Sequence, residues 1–149
     1  MRDRGVTLIE VLVVIGMLAI LFAVAFPAFN RWRVKASIEG DVKDIYAFIQ
    51  KARAVAFTEK QDIRIEINGR NVCMIVVGQT NPLECFPLDN PFTVNGSVEI
   101  SRRGYFSGRG TIRYAGTADV NPAYDCLVIS VNRVKTGVWD NVANECRPK

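Results

Sequence analysis

The chain has 149 residues, a length that suits one domain and not two independent globular ones. Its 19 basic and 15 acidic residues leave a net charge of +4, a mild excess that permits a polyanionic partner but is met just as well by solvated basic surface. Histidine is absent, which removes Ser-His-Asp and Cys-His catalysis, His-based zinc sites and the usual neutral-pH general base. No nucleophile motif or metal cluster stands in for it, so neither an enzyme nor a cofactor is expected.

The chain opens Met1-Arg2-Asp3-Arg4-Gly5, continues Val6-Thr7-Leu8-Ile9-Glu10, and enters an unbroken apolar run from Val11 to Phe26. At a rise of 1.5 Å per residue that run covers about 24 Å, short of a hydrocarbon core of ~30 Å. Extension to Val6 and Phe29 makes it long enough and puts Glu10 inside the span, where a carboxylate costs on the order of 3 kcal/mol. Three readings compete. A secretory signal peptide would use Ala23-Val24-Ala25 as its cleavage site, but its apolar region is shorter and needs no acid. A plain signal anchor explains the length and leaves Gly5 and Glu10 unexplained.

The third reading explains both. A short charged leader ending at Gly5, a hydrophobic Val6, the run Thr7-Leu8-Ile9-Glu10 and an apolar helix interrupted by Pro27 resemble the class III signal of type IV pilins. The resemblance implies that a prepilin peptidase cuts after Gly5 and methylates the new amine of Val6, where most of the family has Phe. Loss of Arg2, Asp3 and Arg4 would lower the charge from +4 to +3. It also implies that Glu10 pairs with the freed amine of Val6 on a neighbouring subunit, so that a charge costly in the membrane rewards correct register in a filament. Pro27 lacks an amide hydrogen and Gly16 weakens the same stretch, so a kink or local loosening is expected; in the family this region can melt in assembled filaments, the alternative being a mere kink. Arg31, Arg33 and Lys35 follow the span, so charge balance alone does not orient it.

Beyond Pro27 the apolar residues become periodic. Ile38, Val42, Ile45, Ile49, Ala52 and Ala56 step by four and three, one face of a helix that runs to about Phe57 or Thr58. Glu39 and Lys43 have the spacing of an i,i+4 pair.

From Asp62 the pattern is strand-like. Ile63, Ile65 and Ile67 alternate with polar residues, Asn68-Gly69 predicts a hairpin turn, and Val72 to Val77 predicts the returning strand. Further strands are expected over 97–101, 111–114, 126–131 and 134–139, with loops at Asn81-Pro82, Asn90-Pro91, Gly108-Arg109-Gly110 and Asn121-Pro122. Cys73, Cys85, Cys126 and Cys146 contain no C-x-x-C pair; behind a membrane-insertion signal they predict two disulfides in an oxidising compartment. Local pairing of Cys73 with Cys85 and Cys126 with Cys146 closes short loops, and the two other connectivities stay open. The fold class expected is α+β: one long helix packed on an antiparallel sheet. Its expected parts are a leader (1–5), a transmembrane and filament-core helix (6–29), an amphipathic stem (30–58) and a disulfide-bonded β domain (59–149).

Within the pilin superfamily the C-terminal half resembles the GspH pseudopilin and the FimT and FimU minor pilins. The resemblance lies in Phe106-Ser107-Gly108-Arg109-Gly110-Thr111 and in Cys126-Leu127-Val128-Ile129-Ser130 leading to Asn132-Arg133-Val134-Lys135. Asn132 stands for the usual Gly and tolerates a left-handed turn; Lys135 stands for a second Arg, losing the planar fork and keeping the charge. The resemblance implies that Arg133 and Lys135, with Arg147 and Lys149, contact DNA phosphates weakly and in a salt-sensitive way, the alternative being solvated turn residues; Arg102 and Arg103 read as exposed charge. The function implied is that of a minor pilin or pseudopilin in a type IV pilus or a type II secretion pseudopilus, the alternatives being a DNA receptor and the major subunit. Its implied partners are other pilins, the prepilin peptidase, the inner-membrane assembly platform and the membrane. Its implied location is the inner membrane with a periplasmic C-terminal domain, and then an extracellular pilus or periplasmic pseudopilus.

Overall fold

The computed structural model describes residues 7–149, and the chain divides into two compact units, Met1–Val34 and Lys35–Lys149. One helix, α1 (Leu8–Glu59), contributes to both. In the first unit its apolar side chains have no cover: Leu8 is 82% exposed, and Leu12, Ile15, Met17, Ile20 and Phe26 are all open. Its most apolar 18-residue window has a mean hydropathy of 2.9, so the helix is long and apolar enough to cross a membrane. The helix runs through Pro27. Proline has no N–H to give, so the Ala23 carbonyl lacks its usual partner one turn on.

In the second unit the stripe predicted from sequence is the inner face of the helix. Ile38, Val42, Ile45, Ile49, Ala52 and Ala56 are each 0% exposed; burying one of the larger aliphatic side chains is worth roughly 1.5–3 kcal/mol. Helix α1 ends at Glu59, and Lys60 takes a left-handed φ of 55°, a common way to terminate a helix.

The helix packs on seven antiparallel strands in the order β3-β1-β2-β4-β5-β6-β7. These are β1 (Ile63–Val76), β2 (Pro82–Gly96), β3 (Val98–Ile100), β4 (Gly110–Tyr114), β5 (Cys126–Ser130), β6 (Arg133–Asp140) and β7 (Glu145–Pro148). Ile63, Ile65, Val72, Met74, Phe92, Ile112, Leu127 and Ile129 close the core from the sheet side. The architecture is α+β, as the sequence predicts.

Two sequence expectations are corrected. Asn68-Gly69 is not a hairpin turn: β1 continues through it as one strand of 14 residues. Gly69 (φ 63°) instead sits at a register break, where pairing passes from Gly69 with Phe92 to Asn71 with Pro87, the behaviour of a β-bulge. The real turn lies between Val76 and Pro82, with Gly78 at φ 93°. Secondly, Asn90-Pro91 is not a loop but part of β2. Residues 82–87 of β2 pair with β1 and residues 92–96 with β4, Phe92 pairing on both sides. Pro82 and Pro87 therefore lie where one side of the strand carries no ladder, and their missing donors cost little.

The bulge in β2 explains Asp41, the one buried charged residue among those described, 5% exposed. Asp89 and Asn90 have no partners on β1, so their amides need other acceptors. Asp41 supplies them. Its Oδ1 accepts the Asp89 N–H at 3.1 Å; its Oδ2 accepts the Asn90 N–H at 2.8 Å and the Asn90 Nδ2 at 2.7 Å.

Disulfides join Cys73 to Cys85 and Cys126 to Cys146. The first links facing residues of β1 and β2. The second passes from β5 to β7 across β6, beside Gly137, which pairs with Cys126. A Cβ on Gly137 would lie 2.9 Å from the Cys146 sulfur and 2.4 Å from the Arg147 carbonyl oxygen. Glycine is what lets this staple and the two strands come together.

Candidate functional site

The N-terminal signal is the first candidate. Gly5 and Val6, the expected point of cleavage and methylation, lie outside the described residues. Thr7 caps the helix: its carbonyl accepts the N–H of Glu10 at 3.1 Å and of Val11 at 3.3 Å, and its Oγ1 accepts the Glu10 N–H at 3.4 Å. Thr7-Leu8-Ile9-Glu10 thus has the spacing of a capping box, with Glu10 in the first turn, where a carboxylate favours the helix dipole. That local role was legible as T-x-x-E and is additional to any part in assembly. Glu10 is exposed and heads an apolar surface that no described residue of its own unit covers.

The four basic C-terminal candidates have different surroundings. Arg133 begins β6, after the two-residue turn Val131-Asn132, and its carbonyl accepts the Ser130 hydroxyl at 3.0 Å. Asn132 does not adopt a positive φ, so this turn does without the left-handed residue for which Asn had looked suitable. Arg147 is held by Asp140 at 2.7 Å and is spent within the β6–β7 hairpin. The Val142 and Ala143 N–H groups, which donate to Asp140, hold its carboxyl below the usual carboxylate range, with a smaller contribution from Arg147. Lys149 donates from its backbone to Thr136 at 3.0 Å and from its side chain to the Ala123 carbonyl at 3.1 Å.

Two of the four do meet. Lys135 and Lys149 line a shallow cleft of about 330 Å3 with Lys43, Tyr46, Val134 and Thr136. Lys43 was not among the sequence candidates because it had been assigned to a pair with Glu39. In the structure Glu39 faces Lys35 at 3.9 Å and accepts the Ala123 N–H at 2.7 Å, while Lys43 lies 5.6 Å from the centre of the Tyr124 ring. Arg102 is likewise not just exposed charge. It pairs with Asp62 at 2.9 Å, and its backbone N–H donates to the same carboxylate at 2.8 Å. The Arg102 side chain is the main reason the Asp62 carboxyl lies below its ordinary range. Among the described residues no group of acids or cysteines is placed to hold a metal ion.

Residues 1–26 match the family model of the prokaryotic N-terminal methylation motif. The chain carries a type IV prepilin signal. No curated protein and no solved structure matches the chain. The matched segment runs into the uncovered apolar part of α1, and the second unit packs the rest of α1 on an antiparallel sheet. Behind the prepilin signal lies an α+β, type IV pilin-like fold, headed by a helix long and apolar enough to anchor in a membrane.

Proposed function

We propose that this pilin-like chain is a minor pilin or pseudopilin, a structural subunit that helps to assemble or tip a type IV pilus or a type II secretion pseudopilus. On this reading residues 1–5 are a leader removed at the membrane, and Val6 becomes the methylated first residue. Residues 6–29 leave the membrane to become the core of a filament, and residues 59–149 are displayed outside. The observation that carries the proposal is a contrast within α1. From Ile38 onward its apolar face is fully covered by the chain's own sheet, whereas the equally apolar part from Leu8 to Phe29 is open throughout its described side chains. A surface that large is covered by lipid before assembly and by like helices after it.

Glu10 gives that packing its register. Among close-packed apolar helices a carboxylate is tolerated when it is paired, and the freed amine of Val6 on the next subunit is the cation the prepilin signal supplies. Glu10→Ala and Glu10→Leu are expected to leave the chain in the membrane and to cut its recovery in sheared filaments by about tenfold or more, the equivalent of about 1.4 kcal/mol or more of lost pairing. Filament incorporation equal to wild type would remove the pairing. The sequence resemblance to the GspH, FimT and FimU group supports a minor over a major subunit.

A second reading, a DNA-capturing minor pilin, is favoured by the cleft that gathers Lys43, Lys135 and Lys149 beside the half-exposed ring of Tyr46. Three phosphate contacts would give weak, sequence-independent binding that falls steeply with salt. A gel shift with non-specific duplex is expected to show retardation at low salt that fades at moderate salt, and to lose it when Lys43 and Lys135 are both changed to Gln. Changing Arg147, already paired, should matter far less. Absence of any salt-sensitive retardation would leave the structural role alone.

A further inference from the structure

Past Glu10 the next charged residues along α1 are Arg31 and Arg33. At about 1.5 Å per residue, the helix from Glu10 to Arg31 is about 32 Å long, close to the ~30 Å of a bilayer's hydrocarbon core. The residues between them are apolar or small, save Asn30. At the far end, Phe29 and Trp32 stand one turn apart with ring centroids 5.8 Å from each other, and both are largely exposed, at 59% and 62%. Arg31 and Arg33 are exposed beside them, and no carboxylate among the described residues lies within ion-pair distance of either. The next cation, Lys35, by contrast faces Glu39 at 3.9 Å.

We infer that Phe29, Arg31, Trp32 and Arg33 form a collar that docks on anionic phospholipid headgroups at the membrane face from which residue 35 onward emerges. Aromatic rings with a polar edge settle at the boundary between hydrocarbon and headgroups. Guanidinium groups there reach outward to lipid phosphates, which they bind through a planar fork. The negative surface of an anionic leaflet adds a long-range attraction. The collar also sets depth. With Arg31 fixed at one boundary, the span begins at Glu10 and not at Val6, so the carboxylate lies at the opposite boundary, within reach of water. It is stripped of that water only when neighbouring helices close around it. Arginines on this side of the span, which leave the charge balance without a clear orientation, thereby acquire a partner.

The inference rests on α1 crossing the membrane, and the test separates the two. The full-length chain is reconstituted into phosphatidylcholine vesicles containing phosphatidylglycerol, and insertion is checked by flotation. Quenching of Trp32 is taken as the difference between wild type and Trp32→Phe, which removes Trp139 from the signal. Nitroxide at the headgroup is expected to quench Trp32 at least about twofold more than nitroxide at mid-chain. Nitroxide-labelled phosphatidylglycerol should quench it more than labelled phosphatidylcholine at the same mole fraction, and Arg31→Gln with Arg33→Gln should abolish that preference. A chain that floats with the vesicles but shows mid-chain quenching, or equal quenching by the two lipids, overturns the collar and leaves the anchor standing. A chain that does not float overturns both.

Discussion

Asp41 does more for this domain than its place in the sequence suggests. It stands between two members of the apolar stripe, where an acid in a helix usually marks a solvated flank, and nothing local distinguishes it from Asp44. Its partners are amides almost fifty residues away in a bulge that the sequence does not announce. With Asp41→Ala, the Asp89 and Asn90 amides lose a charged acceptor in a setting where little water can replace it. Such a change is expected to cost roughly 2–4 kcal/mol, read as a fall in urea midpoint for the detergent-solubilised chain. A loss within about 0.5 kcal/mol would mean that the bulge finds other acceptors. Glu10, by contrast, drew attention at once, because an acid at the edge of a membrane-length apolar run is costly there. Its capping geometry with Thr7 adds a local purpose to the intermolecular one proposed for it.

At the scale of elements, the sequence was clearest where periodicity was unbroken. All six stripe residues of α1 are buried, and β4, β5 and β6 fall within a residue of their expected limits. It was least clear where prolines and asparagines interrupt strands. β2 carries Pro82, Pro87 and Pro91 and reads as loop, because its ladder partners change midway and free the positions at which proline is harmless. β7 is short and has no alternation of its own; the Asp140–Arg147 pair holds it to β6, and the Cys126–Cys146 staple ties it across β6 to β5. That hairpin carries a pH signature. The Asp140 carboxyl is lowered on folding, first by the Ala143 and Val142 amides. Between its folded and unfolded values the unfolded chain binds more protons, so the stabilisation is present above the usual carboxylate pKa of about 3.9 and is lost as the pH falls through the lowered value. Asp140→Asn should therefore flatten the acid limb of a stability–pH curve, measured as thermal midpoints across the acid range. A variant whose midpoint falls with acid as steeply as wild type would show that other carboxylates carry that limb.

At the scale of the molecule, one helix serves two purposes. Its second half is a core element whose apolar face is satisfied within the domain by an antiparallel sheet and two disulfides. Its first half has an equally apolar surface, exposed throughout its described side chains, the kind of surface that a membrane or an assembly covers. The boundary between these roles was readable as the change from continuous to periodic apolar residues after Pro27, because lipid and like helices accept an apolar surface on all sides whereas a sheet covers only one. The sequence resemblance brought the GspH, FimT and FimU group and a DNA-binding turn into view. In the structure Lys135 lines the cleft with Lys43 and Lys149, whereas Arg133, at the start of β6, is not among its lining residues; the cleft brings a helix residue and the chain end to the strand, which sequence order does not show. The account stands on the apolar half of α1 being kept in the mature protein, and the mass of that protein's N-terminal peptide tests it most directly. The peptide is expected to begin at Val6 with one added methyl group. A mature chain that begins after Ala25 would mean that the helix is discarded on export, and it would contradict the filament account entirely.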